Sequence, residues 1–131
     1  MTMDVLEAMF TIAKGASEII LGVYQAGDLN VEYKVGDDPV TRADKEANAF
    51  IVSELERAFP GVPIVAEESP RESYAAYVRA PRAFFVDPLD GTREFVKRTG
   101  EFAVMIGLAE DGRATHGVVV ESVRGVAYLG H

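Results

Sequence analysis

The sequence predicts an α/β protein in which two N-terminal helices pack on a mostly antiparallel sheet, as one domain spanning residues 1–131. Three features point there. Apolar residues recur at helical spacing in two stretches before Pro60, and short apolar runs bounded by breakers follow them. The last third then alternates like paired strands around an Asp-Gly turn.

From Asp4 to about Tyr24, the residues Val5, Met9, Ile12, Ala16, Ile19 and Val23 fall four or three apart, which draws one apolar stripe along a helix. Val31 to Val35 is short and partly alternating, and it runs into Gly36-Asp37-Asp38-Pro39, so it reads as an extended segment entering a loop. Thr41 opens a second helix over residues 42–59, with Ala43, Ala47, Phe50, Ile51, Leu55 and Ala58 inward and Pro60-Gly61 as the stop. Ile64-Val65-Ala66 and Ala83-Phe84-Phe85-Val86 read as buried strands, each delivering acidic residues at its C-terminal end. Between Pro70 and Pro81 the composition turns polar around Tyr74 and Tyr77, as in a short surface helix. Glu101–Ala109 and Ala114–Glu121 are β-rich and flank a hairpin turn at Glu110-Asp111-Gly112-Arg113, and Gly125–Leu129 completes a meander. Phe84, Phe85, Phe95 and Phe102 are read as core.

The charge balance narrows the function. With 21 acidic against 13 basic residues the formal net charge is −8, a field that repels nucleic-acid phosphates and attracts cations. A general nucleic-acid binder is excluded on that ground. An acidic protein that acts on a phosphorylated substrate needs a divalent cation to reverse the local sign. There are no cysteines, so any metal site is built from oxygen or histidine. Met1–Asp4 lacks a basic region, and Glu7, Lys14 and Glu18 interrupt the apolar residues that follow, unlike a signal peptide or membrane span. The expectation is a soluble cytoplasmic protein that meets neither membrane nor nucleic acid. His116, in a predicted strand, and His131, at the end, read as packed or solvated histidines.

The most informative string is Asp87-Pro88-Leu89-Asp90-Gly91-Thr92. A strand holds Asp87, Pro88 fixes the backbone and Gly91 permits close approach, so two carboxylates can converge on hard cations while nearby amides face a phosphate. Taken alone, Asp-Pro and Asp-Gly equally mark a solvated turn. Two rival motifs fail on spacing, since the acids stand three apart rather than as Asp-x-Asp and no EF-hand series of acids follows. A second acidic pair, Glu67-Glu68 before Ser69, ends a short apolar run, where two glutamates also suit a solvated loop end. Asp44, three residues after Thr41, suits the helix dipole as a capping acid, and a capped N-terminus is also a rigid mount for a catalytic carboxylate.

Together, Pro39-Val40-Thr41 with Asp44, Val65-Ala66-Glu67-Glu68-Ser69 and Val86-Asp87-Pro88-Leu89-Asp90-Gly91-Thr92 resemble the N-terminal half of the inositol monophosphatase superfamily. The run from Arg93 to Arg98, with Gly100-Glu101-Phe102-Ala103-Val104, looks most like its 3′(2′),5′-bisphosphate nucleotidase branch. The resemblance implies a magnesium-dependent, lithium-sensitive phosphomonoesterase acting on adenosine 3′,5′-bisphosphate, with inositol 1-phosphate as the alternative substrate. It implies that Glu67 and Asp87 ligate one magnesium, and that Asp87, Asp90 and the Leu89 carbonyl hold a second, with a third position in complete enzymes. Thr92 and Asp44 position the attacking water, Glu67 assists, and the Gly91 and Thr92 amides contact the substrate phosphate. No covalent phosphoenzyme is needed.

The match covers about half the family's length, and the usual Lys-x-Asp is broken, because Gly36 stands third after Lys34 with Asp37 and Asp38 following. The expected consequence is an apolar face that a homodimer partner or a C-terminal half covers. A catalytically silent cation- or phosphate-binding module is the alternative from another class. Arg93, Lys97 and Arg98 are either a site for a second phosphate or a solvated basic edge.

Overall fold

The computed structural model describes residues 4–34, 39–70 and 80–131. The expected turn at Gly36-Asp37-Asp38 and the expected surface helix between Pro70 and Pro81 lie outside the described residues. Helix α1 runs Val5–Ala26, two residues past the predicted end, and stops where Gly27 takes φ 79° and returns its N–H to the Val23 carbonyl. Its buried stripe includes Met9, Ile12, Ala16 and Val23 as expected, with Ile20 rather than Ile19 as the fully buried isoleucine. Strands β1 (Glu32–Tyr33) and β2 (Pro39–Val40) form a small antiparallel pair, which delivers the chain to helix α2 (Arg42–Ala58).

Thr41 caps α2 in a full capping box, its hydroxyl facing the amides of Ala43 and Asp44 while the Asp44 carboxylate returns to the Thr41 N–H. Ala43, Ala47, Ile51 and Leu55 are buried as the periodicity requires. Ala58 is exposed, because the helix ends there and its last turn has left the core, and Phe50 is half-buried against α1. A side chain at Gly15 would lie 2.7 Å from the Phe50 ring, so this glycine is what lets the two helices approach.

The main sheet has the order β3-β4-β5-β6-β7, formed by Ile64–Ala66, Arg82–Asp90, Ala103–Glu110, Arg113–Glu121 and Val126–Gly130. Only β3 and β4 run parallel, and the rest is an antiparallel meander. At the β5–β6 hairpin, Asp111 and Gly112 both have positive φ, 50° and 78°, the type I′ geometry that Asp-Gly favours. Short helix α3 (Thr92–Lys97) follows β4 directly. Its six residues are too few to show a period, so no apolar repeat marks it.

Both long helices lie on one face of the sheet, against Phe84, Val86, Val104, Ile106, Leu108, Val118 and Val120. Among the described residues no helix covers the opposite face. Phe85 is 39% exposed there, contrary to its expected place in the core, because successive strand residues point to opposite faces and the helices cover only one. Phe84, Phe95 and Phe102 are core as read. Cross-strand register sets Gly107 opposite Gly117 and Gly117 opposite Gly130. A side chain added at Gly117 or Gly130 would meet nothing within 4 Å. With Val65, Phe85 and Met105 the first two of these glycines line a shallow apolar hollow of about 460 Å³. Among the described residues no helix is long and apolar enough to cross a membrane.

Phe84 is fully buried and packs its ring 5.0 Å from that of Phe59. Phe84→Ala is expected to lower unfolding free energy by about 3–5 kcal/mol, and Phe85→Ala by about 1 kcal/mol or less. Urea titration of both variants checks the assigned strand faces, and equal losses would contradict them.

Candidate active site

The site begins at the capped end of α2. Asp44 is 2% exposed, yet its carboxylate is well supplied with donors. Oδ2 accepts from the Thr41 N–H at 2.8 Å and from the Thr41 hydroxyl at 2.6 Å, and Oδ1 accepts from the Thr92 hydroxyl at 2.8 Å. The same acid therefore caps its own helix and ties it to the end of β4. Capping is realised, and the second carboxylate oxygen is committed to Thr92.

Strand β4 carries the central motif further than a turn would. Asp87-Pro88-Leu89-Asp90 belongs to the strand itself, with a register shift against β5 between Asp87 and Asp90. Pro88 and Leu89 are buried while Asp90 is exposed, so the solvated-turn alternative fails for the middle of the string. At Gly91 the chain turns with φ 91°, and a Cβ there would sit 2.6 Å from the Glu101 carbonyl oxygen, which leaves room for glycine alone. Thr92 then starts α3, its hydroxyl 3.1 Å from the Leu89 carbonyl as well as bonded to Asp44.

The end of β3 brings the second acidic pair alongside. The Glu67 N–H extends the parallel ladder to the Val86 carbonyl at 3.1 Å, and the Ser69 N–H closes a turn on the Ala66 carbonyl at 3.0 Å. Lys34 lies over this turn, 2.8 Å from Glu68 and 3.8 Å from Glu67. Burial alone would lower the Lys34 pKa, but the hydrogen bond to Glu68 and the charges of Glu68, Glu67 and Asp44 outweigh it and hold the ammonium above its usual range.

Glu67, Glu68, Asp87, Leu89, Asp90, Gly91 and Thr92 line one polar hollow of about 260 Å³, with Lys34 at its wall. The larger apolar hollow on the open sheet face shares Glu67 and Asp87 at its rim but offers no other charged group. Thus all the acids singled out from the sequence meet in one place, Asp44 joining through Thr92. The Arg98 guanidinium sits 4.1 Å from the centre of the Tyr24 ring. His116 and His131 stack on each other at 4.4 Å.

The electrostatics of the hollow suit a hard cation. Asp87 is pushed up to about 7 by burial first, then by its hydrogen bond to Glu67 and the charges of Glu67 and Asp90, against the opposing Leu89 N–H. Its Oδ1 is buried and has no hydrogen-bond partner. An all-oxygen donor set, an orphaned carboxylate oxygen and crowded like charge fit a cation of the magnesium class. Among the described residues no three His, Asp or Glu side chains form a ready-made metal cage. Magnesium does not require one, because it binds through one or two carboxylates and keeps several waters.

Two contacts escaped the sequence reading. Lys34 pairs with Glu68, and Asn48 on α2 donates from Nδ2 to the Ser69 hydroxyl at 3.1 Å. The one available signal was a polar residue four places after Asp44, on the buried stripe of α2.

The family described as the inositol monophosphatase family matches residues 2–131. A 3′(2′),5′-bisphosphate nucleotidase CysQ from Salmonella typhimurium is 41% identical over 125 residues, covering 94% of this chain and 50% of the relative. The CysQ of Escherichia coli K12 is 38% identical over 124 residues, with the same coverage. The chain thus spans about half the length of the curated relatives it matches. Among solved structures, extragenic suppressor protein SuhB from Bartonella henselae superposes with a TM-score of 0.88 at 30% identity, over 97% of this chain and 48% of that one. CysQ from Bacteroides thetaiotaomicron gives 0.78 at 34% identity, over 95% and 45%.

The raised Asp87 fixes the sign of a pH effect. Native Asp87 holds its proton up to about pH 7 and the unfolded chain only to about 3.8, so its stabilising contribution is present at low pH and is lost as pH rises through 7. Asp87→Asn removes the repulsion, and should leave metal-free stability unchanged near pH 4 but raise it by about 1–2 kcal/mol at pH 8, after allowance for partial solvent screening. Chemical denaturation in EDTA at the two pH values measures this. No gain at pH 8 would mean that the acids are not crowded.

Proposed function

This chain belongs to the inositol monophosphatase family, and on that premise we propose that it is the metal-binding part of a magnesium-dependent phosphomonoesterase. Its first-choice substrate is adenosine 3′,5′-bisphosphate, hydrolysed to AMP and phosphate. The observation that carries the proposal is the crowding of Asp87 by Glu67 and Asp90 in one hollow with the Thr92–Asp44 hydrogen bond. Similarity to the CysQ nucleotidases favours a nucleotide over inositol 1-phosphate.

In this reading Glu67 and Asp87 hold one magnesium, and Asp87, Asp90 and the Leu89 carbonyl hold a second. Bound there, magnesium supplies a water of lowered pKa and neutralises phosphoryl oxygens. The protein's own part is orientation and proton handling. Thr92 donates its hydroxyl proton to Asp44, so its lone pairs are left to accept from a water and aim it. As the water attacks phosphorus and the bond from phosphorus to the 3′-oxygen breaks, the water's proton passes to Thr92 while the Thr92 proton moves to Asp44 Oδ1, and the leaving oxygen takes a proton from a second water. Glu67, an exposed acid of the hollow, accepts from a further water. The Gly91 and Thr92 amides contact the substrate phosphate.

The open apolar face requires cover, which a second copy or a C-terminal half supplies in this reading. That face also motivates a second reading, a module that binds cation or phosphate without turnover.

Phosphate release from adenosine 3′,5′-bisphosphate and from inositol 1-phosphate, each with magnesium, separates the substrates. Asp90→Asn and Thr92→Val are expected to slow release about 100-fold, and EDTA or lithium to suppress it. Equal rates for wild type and Asp90→Asn would refute the role of Asp90. Magnesium binding by calorimetry without any release would favour the silent module.

A further inference from the structure

Asp44 and Asn48 stand four residues apart on α2 and share its buried face. Each reaches a different acid-bearing stretch. Asp44 takes the Thr92 hydroxyl at the end of β4, and Asn48 Nδ2 donates to the Ser69 hydroxyl at the end of the turn that carries Glu67 and Glu68. The sheet itself pairs those two stretches over a short span, Ile64, Val65 and Ala66 against Phe84, Phe85 and Val86, with the Phe84 N–H to the Pro63 carbonyl at one end and the Glu67 N–H to the Val86 carbonyl at the other. One turn of α2 is therefore a common anchor for both sides of the hollow.

Packing does not account for Asn48. It is 7% exposed, and its Oδ1 is buried with no partner. A buried amide with half its capacity unmet costs stability, and alanine would continue the stripe of Ala43 and Ala47 without that cost and with better helix propensity. What the asparagine adds is its reach to Ser69. The anchor matters because Lys34 draws on the same turn, 2.8 Å from Glu68 and 3.8 Å from Glu67.

We propose that Asn48 is a positioning residue for the cation site: by holding Ser69 it fixes the Ala66–Ser69 turn, and with it the separation of Glu67 from Asp87. The proposal rests on the cation-binding reading given above. It concerns a side chain that touches neither cation nor substrate, so its signature is a change in cation affinity that does not follow fold stability.

Isothermal calorimetry with magnesium alone, on wild type, Asn48→Ala, Ser69→Ala, Ser69→Thr and the Asn48→Ala/Ser69→Ala double variant, tests it alongside thermal melts. Both alanine variants should raise Kd about 10-fold, as loss of an outer-shell support does. Ser69→Thr, which keeps the hydroxyl, should stay within about twofold, and the double variant should bind no more weakly than either single one. The Asn48→Ala melting temperature should not fall. Wild-type affinity in both alanine variants overturns the proposal and leaves the phosphatase reading standing. So does weakening confined to Asn48→Ala and matched by lost native fraction, with Ser69→Ala unchanged. A wild type that binds no magnesium overturns the phosphatase reading itself.

Discussion

The buried carboxylate of Asp44 is the joint on which the arrangement turns. It accepts two hydrogen bonds from Thr41 and one from Thr92, so a helix start, a strand end and a short helix are fixed to one another by a single side chain. A carboxylate at 2% exposure is tolerable only when its oxygens are supplied in this way. The supply comes from neutral donors, and the charge of Asp44 acts on the Lys34 ammonium at the wall of the hollow. Geometry and electrostatics are thus set by the same three bonds.

Strand β4 performs the complementary task through alternation. Phe84 and Val86 point to the helices and hold the strand in the core, while Phe85 and Asp87 point the other way. The strand cannot slip by one residue without exposing Phe84 and burying Asp87, so core packing fixes the register of the acids. The parallel pairing with β3 then sets Glu67 beside Asp87 through the backbone bond from the Glu67 N–H to the Val86 carbonyl, close enough for the two carboxyl groups to share a hydrogen bond. Like charge is gathered by the apolar energy of the neighbouring residues, and the orphaned Oδ1 of Asp87 and the raised Asp87 pKa are the visible cost.

Much of this was legible in the sequence for identifiable reasons. The helical stripes, the capping box at Thr41 and the Asp-Gly hairpin are local patterns, and each appears within a residue or two of its expected place. The acids were legible because each closes an apolar run. What local pattern cannot supply is the number of covered faces, and Phe85 was misplaced for that reason. Nor can it supply the partners in contacts between distant stretches, such as Lys34 with Glu68 or Asn48 with Ser69. The short α3 fell below the length at which periodicity exists.

The row formed by Gly107, Gly117 and Gly130 carries a consequence for how the open face tolerates change. A methyl group at Gly117 or Gly130 would touch no atom of the described residues within 4 Å. Any steric penalty at those two positions therefore originates outside the sheet, from whatever body rests on it. The row acts as a feeler gauge, silent when the surface is bare and responsive only to the thickness of its cover.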